Sequence, residues 1–125
     1  MEIEIAAEKM PFLEKAVTWV QSKGYNDIKT VLELDEFDTP KSFTQSSTNS
    51  VIAPDITGIS MGRKCYFEVA LKSENERQVV NKWKLLSHLA GAKQGKLIIF
   101  APHGHKAFAK RIIEDNQILA EILPL

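Results

Sequence analysis

The sequence predicts an α/β fold with a mixed central sheet flanked by helices, and three observations predict it. Two long segments carry apolar residues at helical spacing, and the run Lys64 to Lys72 alternates with the two-residue period of a strand. Leu97-Ile98-Ile99-Phe100 is a continuous apolar run, as expected of a strand covered on both faces. A chain of 125 residues that is 44% hydrophobic can bury enough surface for one domain over 1–125 without disulfides or a structural metal.

The first helix is expected from Glu8 to Lys23, where Phe12, Ala16, Val17 and Val20 share a face and Gly24 supplies the C-cap. Ile28, Val31, Leu32 and Leu34 make a short β-prone stretch. From Asp35 through Ser50 the chain is polar, with Glu36, Asp38, Pro40 and a Ser/Thr/Gln/Asn cluster, and reads as a surface loop or long hairpin connection. Val51 to Ile59 has strand propensity interrupted by Pro54, and Met61-Gly62-Arg63 turns it into Lys64 to Lys72 as a hairpin. In the second run Cys65, Phe67, Val69 and Leu71 fall on one face, and Tyr66, Glu68, Ala70 and Lys72 on the other. A carboxylate therefore stands in an otherwise apolar strand.

Ser73 or Asn75 can cap the next helix, whose stripe of Val79, Val80, Trp83, Leu86, Leu89 and Ala90 ends near Gly91. The strand Lys96 to Ala101 follows and is the candidate for the sheet centre. Pro102 and Gly104 break it, Ala107, Phe108, Arg111 and Ile112 continue as a helix, and Ile118 to Leu123 closes as a strand or short helix. The order is α, β, β, β, α, β, α and a last element, with no internal repeat.

Sixteen Lys and Arg balance sixteen Asp and Glu, but unevenly. Residues 1–60 hold ten acids and five bases, net −5, and residues 61–125 hold six acids and eleven bases, net +5. Such a chain can present a basic side to a polyanion while carboxylates gather elsewhere, for instance around a metal. A basic helix surface that is merely solvated is the plainer alternative. One cysteine, no basic-then-apolar leader and no apolar run near the roughly 18 residues of a membrane span suit a reducing, cytoplasmic setting.

Pro54-Asp55, a hairpin turn, and Glu68 in the middle of the next strand resemble the core motif of the PD-(D/E)XK nuclease superfamily. The resemblance spans roughly Glu8 to Arg111 and includes the order α-β-β-β-α-β. Glu14, ten residues before Gly24-Tyr25, is placed much as in the Holliday-junction-resolvase-like and Mrr-like branches. What the resemblance implies is a restriction-endonuclease-like fold and a Mg²⁺- or Mn²⁺-dependent DNA endonuclease. Asp55, Glu68 and the carbonyl of Val69 would hold the metal, a hard cation that keeps several waters, and Glu14 would assist.

The family motif wants a lysine two residues after the second acid, and this chain has Ala70 there. Lys72 is the next lysine on that strand face, with its Cα roughly 13 Å from that of Glu68 at about 3.3 Å per residue. It must fold back to serve, or Gln78 or Lys82 on the second helix takes the role. Arg63, Lys64, Arg77, Lys82, Lys84, Lys106, Lys110 and Arg111 are candidates for phosphate contact, which positions DNA without reading its bases. A homodimer would supply two sites for two strands. The alternative reading is a degenerate nuclease fold acting as a nucleic-acid-binding or protein-interaction module; Ala70 and the apolar tail Ile118 to Leu125 speak for it.

His103 and His105, flanking Gly104 before a helix, can bind a transition metal or a phosphate, or simply form a polar loop. His88 reads as structural or exposed. Trp19 and Trp83 read as core or interface residues rather than stacking platforms, and Cys65 as a buried small hydrophobe. No Gly-rich phosphate loop, nucleophile elbow or CxxC pair points to unrelated chemistry.

Overall fold

A computed structural model describes residues 5–32, 34, 36–45 and 50–125. Asp35 and residues 46–49 of the polar cluster lie outside the described residues. The chain opens with a short 3₁₀ turn, Ala7–Lys9, and then helix α1, Met10–Ser22. The helix starts later than its apolar spacing suggests because Pro11 has no N–H to give and belongs in a first turn. Leu13, Ala16, Val17 and Val20 form its buried stripe, and Gly24 at φ +80° ends it.

Five strands form the main sheet in the order β1 (Asn26–Thr30), β4 (Ile56–Ser60), β5 (Arg63–Val69), β6 (Leu97–Ala101) and β7 (Glu121–Pro124). The first three pair antiparallel and the last three parallel. The parallel steps are crossovers through α2 (Glu76–Ala92) and α3 (Lys106–Asp115). Met61 and Gly62, both at positive φ (53° and 77°), make the two-residue turn that joins β4 to β5 with Ser60 opposite Arg63. Asn75 caps α2, its side chain accepting the Gln78 N–H at 3.1 Å. Where the loop before β6 passes β5, a Cβ on Gly95 would stand 1.6 Å from the Lys64 carbonyl oxygen, so only glycine fits.

The two faces of β5 divide the core as the alternation requires. Cys65, Phe67, Val69 and Leu71 pack with the α1 stripe, while Tyr66 and Ala70 pack with Val79, Trp83, Leu86 and Ala90 of α2 and Phe108, Ala109 and Ile112 of α3. All five residues of β6 are buried, as a strand with helices on both faces should be. Trp19 packs edge-to-face on Phe67 and Phe100, and Trp83 is buried. No helix among the described residues is long and apolar enough to cross a membrane.

Several boundaries differ from expectation. The first strand is Asn26–Thr30 rather than the stretch through Leu34. The polar segment holds a small two-stranded sheet, β2 (Phe43–Gln45) with β3 (Ser50–Ile52), so the run from Val51 is not one strand but two. Pro54 enforces the break, since it lacks the N–H a continuous ladder would need. The last element is a strand, Glu121–Pro124. The second strand of the hairpin stops at Val69, which leaves Lys72 beyond it.

Candidate functional site

Asp55 immediately precedes β4. The register that pairs Ile56 with Phe67 sets Asp55 across from Glu68, and directly opposed residues share a face of the sheet. That face is the α2 side. The backbone of Asp55 is pinned from β1 and its continuation, its carbonyl accepting the Val31 N–H (3.1 Å) and the Thr30 hydroxyl (3.2 Å).

The two carboxylates are buried, Asp55 at 4% and Glu68 at 1% exposure. Each is tied to the other's strand by a backbone donor: the Asp55 N–H donates to Glu68 Oε2 at 2.7 Å, and the Val69 N–H donates to Asp55 Oδ2 at 3.0 Å. The remaining contacts come from two lysines. Lys82 of α2 places its Nζ 3.1 Å from Glu68 Oε1 and 3.4 Å from Asp55 Oδ1. Lys9, from the 3₁₀ turn, places its Nζ 2.9 Å from Asp55 Oδ2 and 3.4 Å from Glu74 Oε1. Two acids and two bases thus form a buried quartet of zero net charge when all four are ionised.

Burial opposes the ionisation of every member, and the charges decide the outcome. For Asp55, burial works to raise the pKa, but Lys82, Lys9 and the Val69 N–H outweigh it and hold the carboxyl below its ordinary range. For Glu68, burial and then the Asp55 charge prevail over both lysines and push the pKa up to about 7. Burial would lower both lysines, yet Asp55 and Glu68, with Glu74 for Lys9, keep them protonated and raised. Burial thus sets the two acids apart, Asp55 held ionised by its lysines and Glu68 eased toward its protonated form.

Of the residues singled out in the sequence, Asp55 and Glu68 come together, and one cation, the Lys82 ammonium, reaches both. Val69 contributes its N–H to Asp55. Lys72 does not approach Glu68: the chain turns after Leu71, whose carbonyl accepts the Glu74 N–H, and Lys72 is exposed with its own N–H donating to His105 Nδ1 at 2.9 Å. Glu14 is exposed on α1, because that helix turns Leu13, Ala16 and Val17 to the sheet and packs on the face opposite Glu68. Gln78 is exposed as well. Lys9 was not foreseen, since nothing in its neighbourhood distinguishes it from a solvated lysine at a helix start.

The phosphate-contact candidates divide. Arg63, Arg77, Lys84, Lys106 and Lys110 are exposed. Lys82 belongs to the acid pair instead, and Arg111 is engaged with Glu76 at 2.5 Å. Lys64 is half-buried over the Tyr66 ring, and its pKa is lowered by burial and by Lys29, Lys93 and Lys41, so a basic cluster draws on both halves of the chain. His105 spends its Nδ1 on the Lys72 N–H and stands edge-to-face with Phe12, while His103 and His88 are exposed. Cys65 is a buried free thiol.

Among the described residues, no three His, Cys, Asp or Glu side chains assemble as a ligand set. The donors of the acid pair nevertheless suit a hard divalent cation. Both side chains offer oxygen, Asp55 Oδ1 and both Glu68 oxygens each accept one contact of the two a carboxylate oxygen can take, and Mg²⁺ accepts one or two carboxylates plus waters.

Compared with protein-family models, curated proteins and solved structures, this chain matched nothing. Its reading rests on the site itself.

Proposed function

We propose that the chain is a metal-dependent, DNA-cleaving domain of the PD-(D/E)XK type with a restriction-endonuclease-like core, in which Asp55 and Glu68 hold Mg²⁺ or Mn²⁺ and Lys82 takes the place of the motif lysine. The observation that carries this reading is the position of one ammonium, from α2, against both carboxylates at 3.1 and 3.4 Å. The bound ion would withdraw charge from the phosphate and lower the pKa of a water. The Val69 and Asp55 N–H groups fix the carboxylate planes, so their oxygens need no reorganisation to face a ligand. Lys82, whose side chain keeps 22% exposure, can leave the acid pair for the scissile phosphate and offset its developing charge.

Duplex, junction or single-stranded DNA would be held by backbone contacts from Arg63, Lys64, Arg77, Lys84, Lys106 and Lys110, with two sites brought together in a homodimer. The buried free thiol of Cys65 suits the reducing cytoplasm. The second reading, a degenerate module that binds nucleic acid or protein without cutting, is favoured by one observation: two lysines already neutralise the two acids. Cleavage of the three DNA forms in Mg²⁺, Mn²⁺ and EDTA separates the readings. Metal-dependent cleavage that Asp55→Asn and Lys82→Met abolish and Lys72→Ala spares is expected. Absence of cleavage in any form and metal leaves the non-cutting module.

A further inference from the structure

Lys9 is the least expected member of the quartet, and its geometry differs from that of Lys82. It is 6% exposed, and its partner Glu74 is followed at once by the α2 cap. The residue before it, Glu8, accepts a hydrogen bond from Ser73, so two consecutive residues of the 3₁₀ turn grip two consecutive residues of the β5–α2 turn. Within the acid pair, Lys9 touches Asp55 Oδ2 alone, an oxygen that also accepts the Val69 N–H and so has both lone pairs engaged. Lys82 sits between the other Asp55 oxygen and Glu68, and its side chain is 22% exposed against 8% for Lys9. An arriving cation therefore displaces Lys82 toward solvent and leaves Lys9 where it is.

The charge arithmetic follows. With Lys82 at the rim and Glu74 half-exposed and screened by water, the buried groups are two carboxylates, the Lys9 ammonium and the divalent ion, a sum of +1. A phosphodiester brings that sum to zero. Without Lys9, the two carboxylates and the ion are neutral by themselves, and no anion is required. Uncompensated charge in a desolvated site is costly, so the balance governs binding.

We infer that Lys9 is a positioning residue that couples the metal to the substrate: by holding one buried positive charge on Asp55, it makes firm uptake of a divalent cation depend on an anionic phosphodiester bound beside it. This rests on the proposal that Asp55 and Glu68 hold a metal. By reciprocity, the same lysine makes DNA affinity depend on the metal.

The test uses the full chain and Mn²⁺. In electron paramagnetic resonance titrations without DNA, Lys9→Met should bind Mn²⁺ at least tenfold more tightly than wild type, a difference of about 1.4 kcal/mol. Lys9→Arg, which keeps the charge, should match wild type. In fluorescence anisotropy with a phosphorothioate duplex, Mn²⁺ should tighten DNA binding by wild type at least tenfold and by Lys9→Met distinctly less. If Lys9→Met is unfolded in EDTA, Mn²⁺ should restore its circular dichroism; failure to do so counts against the inference. Equal Mn²⁺ affinities for wild type and Lys9→Met overturn the role of Lys9 alone. No Mn²⁺ uptake by any of the three proteins overturns the metal site, and this inference with it.

Discussion

Glu68→Gln probes the buried acid pair through the pH dependence of folding. In the folded protein the Glu68 pKa is raised from 4.5 to about 7, first by burial and then by the Asp55 charge. Between those values the folded state holds a proton that the unfolded chain has released, so stability falls as pH rises from about 4.5 to 7 and is flat above. A shift of this size corresponds to about 3 kcal/mol, at 1.36 kcal/mol per pH unit. Asp55 works in the opposite sense and elsewhere on the scale: its lowered pKa adds stability that is complete above 3.8 and lost on acidification through the folded value. Glutamine cannot titrate, yet its carbonyl can still accept the Asp55 N–H. Urea unfolding at about pH 5 and about pH 8 should show wild type losing about 2–3 kcal/mol more than Glu68→Gln across that interval, a large share of a stability of about 5–15 kcal/mol. If both proteins change by the same amount, Glu68 is ionised throughout and the account of the quartet is wrong.

Lys82→Met strands two buried carboxylates with only Lys9 beside them and should cost about 3 kcal/mol, the low end for breaking a buried pair, because Lys82 retains contact with solvent; thermal unfolding reads it, with Lys72→Ala as the near-neutral control. Ala70→Lys, which writes the familiar lysine back into the strand, should destabilise by about 2 kcal/mol or more in the same assay and add no cleavage. Ala70 is wholly buried among Tyr66, Val79 and Trp83, and Lys82 already contacts both carboxylates. DNA affinity, measured by anisotropy from about 50 to 200 mM salt, should fall steeply and with little regard to sequence; a flat response would deny a phosphate-binding face.

Much of the scaffold was legible because burial writes itself into periodicity. The two faces of β5 meet two separate cores in the places the alternation assigns them, and the α2 stripe of Val79, Trp83, Leu86 and Ala90 is the buried one. Glu68 was legible for the complementary reason that a carboxylate inside an apolar strand is costly to bury without a purpose, whereas Asp55 stood out only through the resemblance that Pro54-Asp55 carries. Sequence spacing failed where the chain changes direction. Lys72 reads as the next lysine on a strand face only if the strand runs that far, and it stops at Val69. Glu14 has the right offset from Gly24-Tyr25, but α1 lies against the other side of the sheet and turns that residue to water. The β2–β3 pair arises in a polar stretch whose composition favours turns over strands.

What decides which lysine meets the acid pair is reach rather than order along the chain. A strand lysine two residues past Glu68 would project from the same face, where this protein has packed Ala70 against α2. With that position small and apolar, α2 can lie close to β5, and a long flexible side chain nearly two turns into the helix then spans the gap to both carboxylates. A small apolar residue at position 70 is thus compatible with a helix close enough to deliver its own ammonium to the acid pair. The same reasoning covers Lys9, which enters from the 3₁₀ turn at the edge of β4, at an oxygen Lys82 does not touch. Two lysines at opposite ends of one carboxylate, one sealed and one open to solvent, divide the work of holding Asp55 ionised from that of meeting what arrives.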